Sequence, residues 1–166
     1  LVTSKSEPVF GGVYKLSAVE ENGEIIPKIK ISENAIKITN PSFKDLWRLY
    51  DKSTGKAVAD VITLADEVID DTKPYTIFDP EQTYKRTRLT NFTAKKLRVQ
   101  IFEKGKCVYK SPSIEEIKDY CSQQLDLLWD EVKRFENPHE YYVDLSEPLW
   151  QLKHKMLSEL FTSTQE

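Results

Sequence analysis

Phe43-Lys-Asp-Leu-Trp-Arg-Leu-Tyr50, then Ser53-Thr-Gly55-Lys56, then Val58-Ala-Asp-Val-Ile-Thr-Leu64 is the stretch whose reading decides the fold class. The first run alternates about Leu46, Arg48 and Tyr50. Residues two apart share a face only on a strand, so this period argues for extended chain. Gly55 marks the turn, and the third run returns as a second strand.

The same grammar repeats on either side. Upstream, Gly11 to Ile38 holds Val13, Tyr14, Leu16 and Val19, the turn Glu21-Asn22-Gly23, and then Ile25, Ile26, Ile29 and Ile31. Asn-Gly provides the positive φ angles that a tight turn between twisted strands requires. Downstream, a third hairpin is predicted from Lys96 through Phe102, turning at Glu103 to Lys106 and returning through Cys107, Val108 and Tyr109. Between the second and third, Asp66 to Asn91 contains Pro74 and Pro80 and reads as a long connection with one or two short strands. Three hairpins in series predict antiparallel sheet.

The period changes after Ser113. Ser113 stands three residues before Glu116, a spacing at which each side chain can satisfy a free amide at a helix start. Ile114, Ile117, Cys121, Leu125, Leu128, Trp129 and Val132 recur at three and four residues, predicting a helix to near Phe135, stopped by Asn137 and Pro138. Ser146-Glu147-Pro148 opens a second helix with proline early, where its missing amide does no harm. Leu149, Leu152, Met156, Leu157 and Leu160 are its expected buried face. The fold class is therefore α+β, antiparallel hairpins followed by two C-terminal helices.

Composition narrows the function classes. The 166 residues suffice for one domain with a core, and 39% are hydrophobic. A formal charge of -3 lacks the basic excess that a phosphate backbone attracts, so no nucleic-acid partner is expected. No apolar run approaches the length of a membrane span, no secretory signal pattern is present, and a cytoplasmic location is the expectation. Cys107 and Cys121 lack zinc-site spacing and read as reduced, structural thiols. The chain opens at Leu1 rather than Met, with Leu-Val-Thr-Ser reading as the tail of a strand, and so reads as a fragment.

Candidate chemistry is sparse. His139 and His154 stand in unrelated contexts and read as surface residues. Gly11 and Gly12 are adjacent, without the wider spacing of a phosphate-cradling loop. The acidic cluster Asp66, Glu67, Asp70 and Asp71 lacks the alternation and central glycine of a calcium loop and reads as a solvated face. The basic run Lys85, Arg86, Arg88, Lys95, Lys96 and Arg98, interleaved with Tyr84 and Phe92, admits phosphate contact, but strands also carry such residues on their wet faces. Tyr141, Tyr142, Trp129 and Trp150 read as core or interface. No catalytic residue and no metal site is assigned to this chain.

Leu1-Val-Thr-Ser4, then Pro8 and Phe10-Gly-Gly-Val-Tyr-Lys-Leu16, resembles the segment that follows the phosphate-binding turn of nicotinate phosphoribosyltransferases. The likeness continues through Lys28 to Lys37, Arg48 to Asp51 with Gly55 and Lys56, and Asp60 to Glu67. Arg134, Phe135, Asn137, Pro138 and Tyr141 to Leu145 look like the tail of the bacterial form. Ser42 departs from the pattern, since many relatives have glycine there after a proline, which puts the turn geometry at that point in question.

The resemblance implies an enzyme of NAD synthesis in which nicotinate attacks phosphoribosyl pyrophosphate to give nicotinate mononucleotide and pyrophosphate, coupled to ATP hydrolysis and assisted by Mg2+. It implies an irregular α/β barrel with a β-rich accessory domain, assembled as a homodimer. On that template residues 1–12 end the barrel after the phosphate-binding turn, 13–112 form the β-rich accessory segment, and 113–166 form the C-terminal helical segment. The principal catalytic groups of the family belong upstream, so the partner of this chain is the remainder of the parent polypeptide, and the fragment alone is expected to be inactive. Thr3 and Ser4, nearest the turn, are the candidate phosphate-binding residues. The alternatives are a non-catalytic interaction or regulatory module, and a nicotinamide-using or quinolinate-type phosphoribosyltransferase.

Overall fold

A computed structural model describes residues 12–34 and 37–162, with side chains through Leu160. Its first element is the hairpin of β1 (Ala18–Glu21) and β2 (Glu24–Pro27), turned by Asn22 and Gly23 with φ of 54° and 83°. The strands are shorter than the alternation predicted. Val13, Tyr14 and Leu16 are exposed outside them, because nothing in the described chain covers that side.

β3 (Lys44–Asp51) and β4 (Ala57–Leu64) form the expected central hairpin. Its turn is wound by Asp51, whose Oδ1 accepts from the Ser53 and Thr54 amides at 2.9 and 2.8 Å, and closed by Gly55 at φ 69°. Trp47, Leu49, Ala59 and Val61 line one face and pack with Ile69, Ile77 and Phe92 as the core. The residues between them, Leu46, Arg48 and Tyr50, face the other side and are partly covered.

β5 (Tyr75–Phe78) and β6 (Arg86–Leu89) form a hairpin over the core face, supplying the short strands expected between Asp66 and Asn91. β7 (Phe92–Lys96) pairs with β3. The strand predicted at Lys96 to Phe102 is thus displaced upstream, because Phe92 and Ala94 are the residues that reach the core. What remains of the third hairpin is β8 (Phe102–Glu103) and β9 (Lys106–Cys107), turned at Lys104 and Gly105 as predicted.

α1 (Ile114–Asp126) begins at Ser113 with both arms of the capping box in place. It ends at Asp126, nine residues before the predicted end near Phe135, because the β3–β4 turn takes up the groups that follow. The Ala57 amide donates to the Leu127 carbonyl at 2.8 Å, Lys56 Nζ donates to those of Asp126 and Leu128, and the Trp129 indole donates to the Ala57 carbonyl at 2.7 Å. Carbonyls that a longer helix would use internally are thereby held by the sheet. No residue of α1 is buried, so its apolar stripe is a partly open face.

β10 (Tyr142–Leu145), a strand the sequence reading did not assign, adds to β4 in parallel, giving the sheet order β10-β4-β3-β7. A parallel neighbour requires a crossover rather than a hairpin, and here the crossover spans β5 through α1. α2 (Glu147–Thr162) follows directly. The Ser146 amide bonds the Ile62 carbonyl at 2.8 Å, its hydroxyl donates to Glu67 at 2.6 Å, and Leu149 is fully buried. Further along α2, Leu152, Met156 and Leu157 are half-buried and Leu160 is exposed.

Candidate functional site

Among the described residues, a concavity lies on either side of the central sheet. The larger, about 1340 Å³, opens between the β5–β6 hairpin, the 129–141 connection and β10. Pairing with Val61 puts Asp144 on the sheet face that β5 covers, where it lines this groove at 4% exposure. Burial, reinforced by the nearby Asp79 carboxylate, pushes its carboxyl up to about 6. Asp79 is held ionised by the amides of Gln82 and Glu81, which lower its own value. Arg86 lies over the Phe78 ring at 4.9 Å and donates to the Thr83 carbonyl at 2.8 Å.

On the opposite face a smaller cavity of about 470 Å³ lies under α1. Its floor is the cross-strand pair Arg48 and Asp60, joined through both carboxylate oxygens at 2.7 and 2.8 Å. Gln124 Oε1 accepts from Arg48 at 3.2 Å, and the Tyr141 hydroxyl donates to Asp60 at 2.9 Å. The carboxylate hydrogen bond raises the guanidinium above its ordinary value, while burial and the Asp60 charge raise the phenol. The arginine and the tyrosine are thereby held in their resting protonation states, which suits a structural clasp better than proton transfer.

The sequence candidates disperse. Thr3 and Ser4, with the expected barrel end at residues 1–12 save Gly12, lie outside the described residues. The basic run divides: Lys96 and Arg98 both bind the buried Asp45, Lys96 at 2.7 Å, whereas Arg86 belongs to the larger groove. Burial raises the Asp45 carboxyl, but its hydrogen bonds to Lys96 and Arg98 outweigh that and hold it below the usual range. In the acidic cluster Glu67 accepts from the Leu64 amide and the Ser146 hydroxyl, and Asp71 accepts from the Ala94 amide. These side chains brace the backbone.

His154 stacks on Trp150 with ring centroids 3.8 Å apart, and the Trp150 indole donates to the Pro80 carbonyl. His139 borders the groove, distant in sequence and setting from His154. Cys107 and Cys121 are free, as expected, but exposed. Sequence reasoning missed Asp144, because an aspartate inside Tyr-Tyr-Val-Asp-Leu carries no motif, and its burial follows from the unassigned parallel strand.

Comparison with known proteins assigns this arrangement. Residues 43–153, from the start of the central hairpin into α2, match the family model described as nicotinate phosphoribosyltransferase C-terminal domain. The chain belongs to that family. The nicotinate phosphoribosyltransferase of Bacillus subtilis is 41% identical over 166 residues, covering 100% of this chain and 34% of its own length. That of Dictyostelium discoideum is 33% identical, covering 94% of this chain and 27% of its own length. The crystal structure of human nicotinic acid phosphoribosyltransferase superposes with a TM-score of 0.64 at 24% identity, covering 72% of this chain and 24% of that one. At that identity the likeness speaks for the fold, which is the α+β accessory architecture expected. The chain spans about a quarter to a third of the length of the curated relatives it matches.

Proposed function

We propose that the chain serves as the C-terminal accessory part of an enzyme that forms nicotinate mononucleotide and pyrophosphate from nicotinate and phosphoribosyl pyrophosphate in NAD synthesis. The observation that carries this reading is the family match over residues 43–153, which contains the whole four-stranded sheet, α1 and the start of α2. The chain's own contribution is structural: ion pairs and buried carboxylates brace a sheet, and the described residues present no nucleophile activated by a neighbouring base.

The finer parts of the proposal rest on the family resemblance: ATP coupling, which would make the enzyme a ligase, Mg2+ as its ion, a homodimer, and a cytoplasmic location. Among the described residues no group of three His, Cys, Asp or Glu side chains is arranged to hold a metal. These residues do not fit the ion. Thr3 and Ser4 remain the proposed phosphate contacts.

The test is a product assay on the longer protein carrying this sequence, with phosphoribosyl pyrophosphate, ATP and Mg2+, and either nicotinate or nicotinamide as the base. Mononucleotide from nicotinate, with pyrophosphate released, supports the reading. Product from nicotinamide alone would transfer the chain to the nicotinamide-using alternative, and product from neither base would contradict the proposal.

A further inference from the structure

We propose that the groove beside Asp144 seats a lysine or arginine side chain carried by the part of the longer polypeptide that lies outside this chain. This rests on the reading of the chain as the C-terminal part of a longer enzyme. Three observations argue for it. Asp144 is 4% exposed, yet no hydrogen bond or ion pair to its carboxyl is found among the described residues. Among the described residues no fully sealed side-chain oxygen lacks a partner, so the Asp144 carboxyl keeps its access through the groove, where an entering cation would gain a charge-assisted bond.

The groove also has the right charge. The β5–β6 hairpin faces it with Asp79, Glu81, Lys85 and Arg86, and the 129–141 connection with Glu131, His139 and Glu140. With Asp144 ionised, the acids outnumber the cations, and one of those cations is already engaged: Arg86 lies on Phe78 and binds the Thr83 carbonyl. The carboxyl that burial and Asp79 push up to about 6 is therefore the group a third cation would stabilise most.

Finally, there is chain enough to supply the occupant. The relatives extend over about three times the length of this sequence. β10 is an edge of its sheet among the described residues, so the strand that carries Asp144 into the groove also has an unpaired backbone edge beside it.

The experiment follows the thermal unfolding of the longer protein, in EDTA, as wild type, Asp144→Asn, Lys85→Met and the double variant, from about pH 5 to about pH 8. A seated cation keeps Asp144 ionised across this window. Wild type should then melt roughly 2–4 °C above Asp144→Asn, by a margin that neither fades with rising pH nor depends on Lys85. A margin that vanishes or reverses above about pH 6 would show an unpaired carboxyl and overturn the proposal. So would a margin lost with Lys85→Met, which places the donor within this chain, or one that appears only when Mg2+ replaces EDTA.

If the Asn variant does not fold, 13C NMR of the wild-type carboxyl decides: ionised at about pH 5 supports the proposal, protonated there overturns it. None of these readouts needs catalysis. Failure of the transferase assay and failure of this inference are therefore separately visible.

Discussion

Arg48 and Asp60 face each other across β3 and β4 and close a two-armed ion pair at 2.7 and 2.8 Å, with the Tyr141 hydroxyl on the same carboxylate. The arginine and aspartate side chains are only 18% and 10% exposed, so neither charge can be left alone cheaply. Arg48→Met should destabilise the protein by about 3 kcal/mol, and Arg48→Met with Asp60→Leu should recover most of that loss. Urea unfolding of the two variants checks this. A single-variant cost below about 1 kcal/mol would mean that the pair behaves like an exposed one.

Ser42 occupies left-handed backbone, φ 73°, while its amide bonds the Ser17 carbonyl at 2.7 Å and Lys44 Nζ binds the carbonyls of Asn40, Pro41 and Ser42. A side chain at such a φ costs about 1–2 kcal/mol, and glycine gives back about 0.5–1 in unfolded-state entropy. Ser42→Gly should therefore stabilise by up to about 1 kcal/mol, which a shift in urea midpoint would register. A loss of stability would show that the hydroxyl does more than the backbone geometry reveals.

Asp45 gives the account its acid limit. Its folded value lies below the unfolded one, so the stability it contributes is present above the unfolded value and lost as pH falls through the folded value. Lys96→Met removes one of its two cations and should cost about 1–2 kcal/mol at neutral pH. The same change should raise the pH of acid unfolding. An acid midpoint unchanged by the substitution would place the control of acid stability elsewhere.

The open face of α1 predicts association. Ile114, Ile117 and Leu125 are each more than half exposed. The isolated chain should sediment as larger species with rising concentration, and Ile117→Gln should reduce this at a stability change within about 0.5 kcal/mol. A monomer at every concentration would contradict the prediction.

The legible parts of this structure were those whose information is local. Asn22-Gly23, Gly55 and Lys104-Gly105 each demand a turn through their own backbone preferences, and Ser113 with Glu116 states a helix start within four residues. What was hidden depends on distant partners. Trp129 continues the helical stripe in sequence, yet its indole is taken by the Ala57 carbonyl, and α1 ends earlier. Tyr142–Leu145 is a strand because β4 lies alongside it, eighty-odd residues upstream, and the burial of Asp144 follows from that pairing. The family was legible through Phe10 to Leu16 and the later blocks, while the groove was not, because its lining comes from segments far apart in sequence.

The most direct test of the central claim runs the isolated chain beside the longer protein in the mononucleotide assay with nicotinate, phosphoribosyl pyrophosphate, ATP and Mg2+. The longer protein should form nicotinate mononucleotide and the chain alone should form none. Mononucleotide formed by the chain alone would contradict that claim, because these 166 residues would then hold the catalytic groups assigned to the rest of the enzyme.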